Sequence, residues 1–408
     1  MRHWFIQSLA GSFFLITSAC AQPQTENTPV AAIEETEKQV IPGAWKMDEY
    51  LPLLEQKKVA LLINQTARVG ERLLLDTLLS RGVEVVKVFV PEHGFRGTAD
   101  AGAHVKSDVD PKTGLPVISL YGNNKKPSAS QLKDVDIVIY DLQDVGVRFY
   151  TYISSLEYMM EACAENGKEL LVLDRPNPNG HYVDGPVLEP AQKSFVGMQR
   201  IPVVYGMTVG EYAHMLIGEQ WVEGTEGLSM KVIPIDDYTH NTRYELPVAP
   251  SPNLKHQAAI YLYPSLCFFE GTVVSVGRGT EQPFQQWGHP AFEGKASYFF
   301  IPESTTGASK PMHEGKRCYG ELWARDAEEA LKMVDNRLQL KPLIQAYSWY
   351  PAKDKFFNNF FDKLAGNSSL RQMIQQGKSE ESIRESWQKD LEIFKKIRKK
   401  YLLYEDFE

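Results

Sequence analysis

A glutamate in a short motif is the first residue whose type and position fit catalysis. Glu92 lies in the segment Pro91–Gly94, directly after a long apolar run. Because partial burial disfavours the charged form of a carboxyl, such a residue suits a general acid. An ion pair with Arg96 or Arg148 would instead make Glu92 structural, and both interpretations stay open at this point. Its neighbour His93 fits a proton shuttle, a donor to a substrate or a packed core histidine.

Two aspartates precede a run of aromatic residues. Asp141 and Asp144 lie on either side of Gln143, and the stretch Arg148–Tyr152 follows them. Carboxylates accept hydrogen bonds from hydroxyl groups and aromatic faces stack on C–H groups, so this combination favours sugar recognition. Asp, Glu and His also bind divalent metals, but the chain has no tight ligand spacing such as His-Glu-x-x-His. These residues suit sugar recognition without being specific to it, and we expect no metal ion.

Motifs for nucleotide cofactors and for serine nucleophiles are missing from the sequence. Gly277–Thr280 contains two glycines but lacks the third glycine of a dinucleotide fingerprint, and there is no phosphate-binding loop or Gly-x-Ser-x-Gly elbow. Lysine and arginine total 44 against 52 acidic residues, a net charge of -8, and only Lys395–Lys400 is a basic patch. We expect neither a cofactor nor a nucleic-acid partner.

The elements that must position these residues begin at residue 59, where short apolar runs alternate with helical patterns. This alternation is typical of βαβ units and a parallel sheet. The predicted strands are Val59–Ile63, Val83–Val90, Val117–Leu120, Ile137–Tyr140 and Leu170–Leu173, and the predicted helices are Arg72–Arg81, Ser130–Lys133 and Thr151–Asn166. The fold class is therefore α/β, with a Rossmann-like, doubly wound, five-stranded domain over residues 43–188.

A smaller mixed α+β domain is expected over residues 189–408, where proline and glycine become frequent. Thr208–Glu211 has the pattern of a capping box and predicts a helix up to Gly218. Three further segments are predicted as strands: Met230–Ile235, Ala259–Tyr263 and Val273–Val276. An amphipathic helix with an apolar stripe from Ile383 to Tyr404 is expected to end the chain.

Polar side chains follow every predicted strand of the first domain. Ligands of open parallel sheets bind beyond the carboxyl ends of the strands, so we expect these side chains to converge on one rim. The candidates at the strand ends are Asn64, Glu92, His93, Asp141, Asp144, Asp174 and Asn177. Arg148 and Tyr150, which lie further along the chain after the fourth strand, are added to them. Each of them alone also fits a helix cap or a turn, whereas their convergence on one rim favours a binding site.

Three loops of the second domain add further candidates. Ser251–Leu254 contains Asn253, Glu270–Thr272 follows, and Ser275–Phe284 contains Arg278 and Glu281. These segments are polar, rich in glycine and stiffened by proline, as binding loops often are, although tight turns have the same composition. The planar fork of Arg278 suits a substrate carboxylate.

The N-terminus has the layout of an export signal. Arg2 precedes an apolar stretch, and small residues lead to Cys20, which resembles a lipidation site. We expect a signal peptide over residues 1–20, a disordered tether over residues 21–42, and an exported, periplasmic lipoprotein anchored to the membrane through Cys20. An ordinary cleavage site around Ala19–Ala21 is the alternative.

The long motifs together resemble the NamZ-type exo-β-N-acetylmuramidases, from about residue 45 to the C-terminus. The segments that carry the resemblance are Pro91–Gly94, Asp141–Ile153, Leu173–Pro178, Asp184–Leu188, Tyr205–Thr208, Ser251–Leu254 and Gly277–Thr280. The resemblance implies an enzyme of peptidoglycan turnover that releases terminal N-acetylmuramic acid from the non-reducing end of glycan fragments. It also implies a Rossmann-like domain, a smaller mixed domain and an active site between them, with Glu92 as the catalytic acid.

A second catalytic group is expected, because glycoside hydrolysis normally uses two carboxyl groups. Asp141, Asp144, Glu270 and Glu281 are the candidates, and the acetamido oxygen of the substrate is another. The lactyl carboxylate distinguishes N-acetylmuramic acid from N-acetylglucosamine, so Arg278 and Arg148 are candidates for its recognition. Two other functions stay open: a surface lipoprotein that binds muropeptides without cleaving them, and a metal-dependent hydrolase.

Overall fold

The computed structural model describes Met1 and residues 39–92, 94–95 and 108–408. The expected signal peptide, most of the tether, the lipidation site Cys20 and the candidate His93 lie outside the described residues. Within the described part of the chain, none of the helices has both the length and the apolar character that a membrane span requires.

The strands of the described residues fall into three sheets. In chain order they are β1 (Val59–Ile63), β2 (Arg68–Val69), β3 (Arg72–Leu73), β4 (Val85–Val90), β5 (Asp108–Val109), β6 (Pro116–Ser119), β7 (Ile137–Asp141), β8 (Glu169–Leu173), β9 (Met230–Ile233), β10 (Gln286–His289), β11 (Tyr298–Phe300) and β12 (Cys318–Leu322). The large sheet has the order β5-β6-β4-β1-β7-β8-β9 and is parallel except for the edge pair β5 and β6.

The large sheet is doubly wound, and the strand order reverses between β1 and β7. Leu62 of β1 pairs with Phe89 of β4 on one side and with Tyr140 of β7 on the other. Ala60 and Leu62 contact one core, and the alternate residues of β1 contact the other, as the two-residue period of a strand requires. Apolar runs buried on both faces form such strands because helices cover both sides of the sheet.

The described residues form twelve α-helices. They are α1 (Met47–Tyr50), α2 (Leu74–Ser80), α3 (Ala129–Leu132), α4 (Tyr152–Glu165), α5 (Val209–Gly218), α6 (Gln257–Leu266), α7 (Ala327–Val334), α8 (Lys341–Trp349), α9 (Phe361–Ala365), α10 (Ser369–Gln375), α11 (Glu380–Glu385) and α12 (Gln388–Arg398). The predicted capping box is confirmed: Thr208 Oγ1 accepts from the Glu211 amide at 3.3 Å, and the Glu211 carboxylate accepts from the Thr208 amide at 2.9 Å.

The α/β class with a smaller second domain is confirmed, and the large sheet is wider than predicted. Two strands join the five expected ones: β5 at one edge and β9 at the other. Because β9 pairs with β8, the sheet continues past residue 188, where the sequence suggested that the first domain ends. Residues 39–408 pack as one compact unit, in which the antiparallel sheet β10-β12-β11 belongs to the smaller domain.

Three element predictions in the second half are wrong. Ala259–Tyr263 lies in helix α6, because this apolar run is buried on every side and its periodicity cannot distinguish a strand from a helix. Val273–Val276 makes only isolated bridges, such as Ser275 with Gly288. The terminal apolar stripe is divided between α11 and α12, with Trp387 between them, and Tyr404 lies beyond the last helix.

Candidate active site

A cavity of about 590 Å³ lies where the exits of β4, β6 and β7 face loops of the second half. The first half contributes Glu92, Tyr121, the segment from Phe149 to Tyr152, Phe195 and Val196. The second half contributes Ser251, Leu254, Tyr263, Cys267, Glu270, Arg278, Phe284, the segment from Gly307 to Met312, Phe360 and Leu364. The predicted convergence of strand exits and second-domain loops is therefore present for part of the candidate set.

Glu92 is half-buried at the cavity wall and is held by two hydroxyl groups. The Thr151 hydroxyl donates to Glu92 Oε2 at 3.3 Å. Tyr121 also forms a hydrogen bond with the Glu92 carboxyl; burial raises the pKa of Tyr121, and the negative charge of Glu92 raises it further. Tyr121 therefore stays a protonated donor that orients Glu92.

Glu270 is the second carboxyl group among the described residues of the cavity wall, and it forms an ion pair with Arg278. Nε and Nη2 of Arg278 lie 2.7 Å and 2.6 Å from the same oxygen, Glu270 Oε1. The thiol of Cys267 points to the other oxygen at 3.5 Å. Both partners of the ion pair are 24% exposed, so the pair lies at the cavity surface and reaches solvent.

Aromatic rings in edge-to-face contact form one side of the cavity. Tyr150 packs against Tyr152 with ring centroids 4.7 Å apart and against Tyr263 at 6.0 Å. Tyr263 in turn packs against Phe284 at 4.9 Å, and the Arg278 guanidinium lies 5.1 Å from the Phe284 ring. Such a wall offers apolar faces to the C–H side of a sugar while its rigid rings keep the polar groups in place.

A hydrogen-bond network lies just beyond the end of β1, where the strand order reverses between β1 and β7. Asn64 donates to the Tyr152 hydroxyl at 2.8 Å, and that hydroxyl donates to the Pro250 carbonyl at 3.1 Å. The carbonyl of the Asn64 side chain accepts from Thr66. Asn64 is therefore placed as a support for Tyr152 and for the loop before Ser251, behind the cavity wall.

Three aspartates of the expected rim are buried in networks behind the cavity. Asp141 forms an ion pair with Arg175, which bonds both carboxylate oxygens. Asp144 accepts from the Tyr205 hydroxyl and the Gly146 amide, and burial raises the pKa of Asp144 to about 6.

Asp174 belongs to the same kind of network. Its carboxylate accepts from the hydroxyl groups of Tyr404 and Thr208 and from the Gly210 amide. Burial raises the pKa of Asp174 to about 6. None of the three aspartates is among the residues that line the cavity.

Four other candidates have equally clear surroundings. Arg148 is fully buried and donates to backbone carbonyls, including Leu364 O at 2.9 Å, and burial lowers the pKa of its guanidinium. Asn177 is buried and donates to the Met207 carbonyl. Asn253 donates to the carbonyl of the cavity residue Gly307 at 2.8 Å. Glu281 is exposed and lines a separate depression with Gln65.

The cavity residues that sequence reasoning did not select include Tyr121, Tyr263, Cys267 and Lys310. Tyr121 directly follows the third predicted strand, so its position at a strand exit was a usable signal. Tyr263 and Cys267 lie at and just beyond the end of a segment that was expected to be a strand. Lys310 has no pattern around it that indicates binding.

No group of three or more His, Cys, Asp or Glu side chains placed to hold a metal ion occurs in residues 39–92, 94–95 and 108–408.

Two family models match the chain. The model described as "Exo-beta-N-acetylmuramidase NamZ, N-terminal" matches residues 59–258, and the corresponding C-terminal model matches residues 261–404. The chain is 37% identical to the peptidoglycan β-N-acetylmuramidase NamZ of Bacillus subtilis over 415 aligned positions, which cover 96% of this chain and 97% of that protein.

Two solved structures of DUF1343 family proteins from Bacteroides fragilis resemble the chain. One is 48% identical with a TM-score of 0.83 and covers 90% of this chain and 100% of the other. The second is 30% identical with a TM-score of 0.73 and covers 90% of this chain and 99% of the other.

Proposed function

Because the chain belongs to the exo-β-N-acetylmuramidase NamZ family, we propose that it releases terminal β-linked N-acetylmuramic acid from the non-reducing end of peptidoglycan fragments. The family is one of peptidoglycan glycoside hydrolases, and the chain is therefore a glycoside hydrolase.

The observation that carries the proposal is the pair of carboxyl groups that line the same cavity, Glu92 and Glu270. Hydrolysis of a glycosidic bond normally needs one carboxyl group that gives a proton to the leaving oxygen and another that acts on the opposite side. Because Asp141 and Asp144 are held in buried networks and Glu281 lies at another depression, Glu270 is the second group that we propose.

Glu92 is proposed to be the general acid. The Thr151 hydroxyl contacts one of its oxygens, and the Tyr121 hydroxyl also binds the carboxyl, so its orientation toward the cavity is restricted. A carboxyl held in this way presents its proton along a limited range of directions, which lowers the entropic cost of reaching the transition state.

Glu270 is proposed to act as a carboxylate. Its ion pair with Arg278 keeps negative charge at the cavity wall, and the Cys267 thiol restricts its other oxygen. The transition state of glycoside hydrolysis resembles an oxocarbenium ion, so a fixed negative charge close to it is stabilising. Arg278 then positions and balances this charge.

The N-terminal sequence indicates where the protein acts in the cell. We propose that the chain is exported through its N-terminal signal and anchored through Cys20, which would place it beside peptidoglycan in the periplasm. Peptidoglycan fragments are then its partners, and no nucleic acid is involved.

The proposal is tested by incubating the purified protein with a chromogenic β-glycoside of N-acetylmuramic acid and, separately, with the N-acetylglucosamine counterpart. We expect release of the chromophore from the first substrate and little or none from the second. If neither substrate is cleaved while N-acetylmuramic acid still binds, the chain is a binding protein. Equal cleavage of both substrates would contradict the proposed specificity.

A further inference from the structure

We propose that Lys310 reads the lactyl carboxylate of N-acetylmuramic acid and so determines the specificity of the cavity. The inference rests on the proposed function and names a recognition residue for it. Among the described residues, the cavity wall carries two cations, Arg278 and Lys310. The two cations differ in how available they are to a carboxylate of the substrate.

Arg278 is already committed to Glu270. Two of its nitrogens lie within 2.7 Å of one carboxylate oxygen of Glu270, and its guanidinium lies over the Phe284 ring. A substrate carboxylate at Arg278 would be brought close to the negative charge of Glu270, and like charges at such a distance repel each other. Arg278 therefore serves the carboxylate of the enzyme, not that of the substrate.

Lys310 has a different environment. Its side chain is exposed at the cavity, and within the part of the chain that the structure describes it has no ion pair or hydrogen bond. Glu92 is neutral when it carries the proton that a general acid needs, and the charges of Glu270 and Arg278 cancel each other. Lys310 then leaves the described cavity wall with one net positive charge, which complements a substrate with one carboxylate.

The backbone that carries Lys310 is fixed on both sides. Before it, Thr305 and Ala308 exchange backbone hydrogen bonds of 3.1 Å and 3.0 Å, and Asn253 donates to the Gly307 carbonyl. After it, Pro311 packs against Gly279, where an added Cβ would lie 2.7 Å from the proline ring. The loop therefore holds the Lys310 backbone still, and little ordering is needed when its ammonium group meets a ligand.

The same anchors explain how the two halves of the chain set specificity together. Asn253 belongs to the loop after Pro250, which the Tyr152 hydroxyl contacts, and Gly279 is the neighbour of Arg278. Glu303 also donates its amide to the Gly279 carbonyl at 2.8 Å. The loop with Lys310 is thus attached both to the sheet side of the cavity and to the ion pair that positions Glu270.

The test measures binding, so that it does not depend on turnover. N-acetylmuramic acid and its lactyl primary amide are titrated by calorimetry into the wild type, Lys310→Met, Lys310→Arg and Lys316→Met. Lys316 is an exposed lysine of the same loop region that does not line the cavity, and it controls for the change in net charge. We expect the wild type to bind the acid on the order of 10-fold more tightly than the amide.

Lys310→Met should lose this preference while its affinity for the amide stays within about 2-fold of the wild type. Lys310→Arg should keep most of the preference, and Lys316→Met should keep all of it. A wild type that does not discriminate, or a Lys310→Met variant that still does, would overturn the inference. Failure to cleave the chromogenic substrate would instead count against the proposed hydrolase and leave this binding result valid.

Discussion

At the scale of single residues, the molecule separates carboxyl groups that face the cavity from those that hold the fold. Glu92 and Glu270 line the cavity, whereas Asp144 and Asp174 each satisfy several buried donors. Burial without a cation raises the pKa of Asp144 to about 6 because water no longer stabilises its charged form. Such a group makes the stability of the protein depend on pH in the range where its carboxyl gains or loses a proton.

Asp144→Asn tests this effect through the pH dependence of stability. A folded-state pKa of about 6, against an ordinary value of 3.8, means that Asp144 favours the folded state at low pH. This contribution is lost as the pH rises from about 4 to about 6, and a pKa difference of about 2 corresponds to roughly 3 kcal/mol. The free energy of unfolding of the variant, relative to the wild type, should therefore increase over this window in chemical denaturation.

The same substitution at the exposed Asp48 serves as a control, because solvent already stabilises that carboxylate. The difference between the two variants at each pH then isolates the contribution of the buried carboxyl. If the stability difference between Asp144→Asn and the wild type stays constant between pH 4 and pH 7, burial does not raise the pKa of the Asp144 carboxyl.

Residue types alone identified part of the site. Glu92, Glu270, Arg278 and Tyr150 were predicted to face a ligand, and all four line the cavity. Asp141 and Asp144 follow a strand in the same way as Glu92 does, but the partners that bury them, Arg175 and Tyr205, come from distant parts of the chain. No local pattern shows such pairings, so a carboxyl that lines the cavity and one that is buried behind it look alike in the sequence.

At the scale of elements, the cavity depends on loops that are fixed by close backbone packing. Gly307 has a φ of +83°, and a Cβ at this position would clash with the Pro252 ring. The loop that carries Lys310 can therefore approach the loop Ser251–Leu254 only because residue 307 is glycine.

Gly307→Ala should displace this loop. We expect a stability loss of about 1 to 3 kcal/mol and a rise in KM on the order of 10-fold, because a backbone shift of about 1 Å misplaces the binding groups. Gly294→Ala is the matched control: its φ is +75°, but nothing lies within 4 Å of an added Cβ. It should cost about 1 kcal/mol in thermal unfolding and leave KM unchanged. Equal KM changes in the two variants would contradict the role of loop packing.

Elements with strong local signals were predicted well, and those decided by distant contacts were not. The five central strands and the capped helix at Thr208 matched the structure because burial on both faces and capping leave clear patterns. Ala259–Tyr263 became a helix because its apolar residues are buried on all sides, which removes the periodicity that separates the two states. The short strand β5 had no local signal at all.

At the scale of the whole molecule, the C-terminal segment is attached to the large sheet. The Tyr404 hydroxyl donates to Asp174 Oδ2 at 2.6 Å and accepts from the Ile235 amide at 3.0 Å. The Leu403 amide donates to Glu211 of helix α5. The last residues of the chain therefore complete the hydrogen bonds of buried groups at the carboxyl ends of β8 and β9.

Tyr404→Phe should lower the free energy of unfolding by about 1 to 3 kcal/mol, because it leaves the buried Asp174 with one donor fewer. Tyr319→Phe is the control, since that hydroxyl donates to the exposed Glu293 at 3.0 Å. Its loss should be about 0.5 kcal/mol or less. Thermal or urea unfolding of both variants gives the comparison, and equal losses would show that the terminal segment adds no stability through Asp174.

The sequence predicted the α/β class, the family and the first half of the fold, whereas the full extent of the large sheet became visible only in three dimensions. Strand β9 follows β8 after more than fifty residues, so its pairing is not a local property of the chain. The hydrogen bond between Tyr404 and Asp174 joins residues that are 230 positions apart, so no local sequence pattern could indicate it.

The central claim is that Glu92 is the general acid of the hydrolase. It is tested most directly by Glu92→Gln, which keeps the shape of the side chain and removes its proton donor. We predict that turnover of the chromogenic N-acetylmuramic acid glycoside falls by a factor of at least about 100, while calorimetric binding of N-acetylmuramic acid stays within about 3-fold of the wild type. A Glu92→Gln variant that hydrolyses this substrate at the wild-type rate would contradict the assignment.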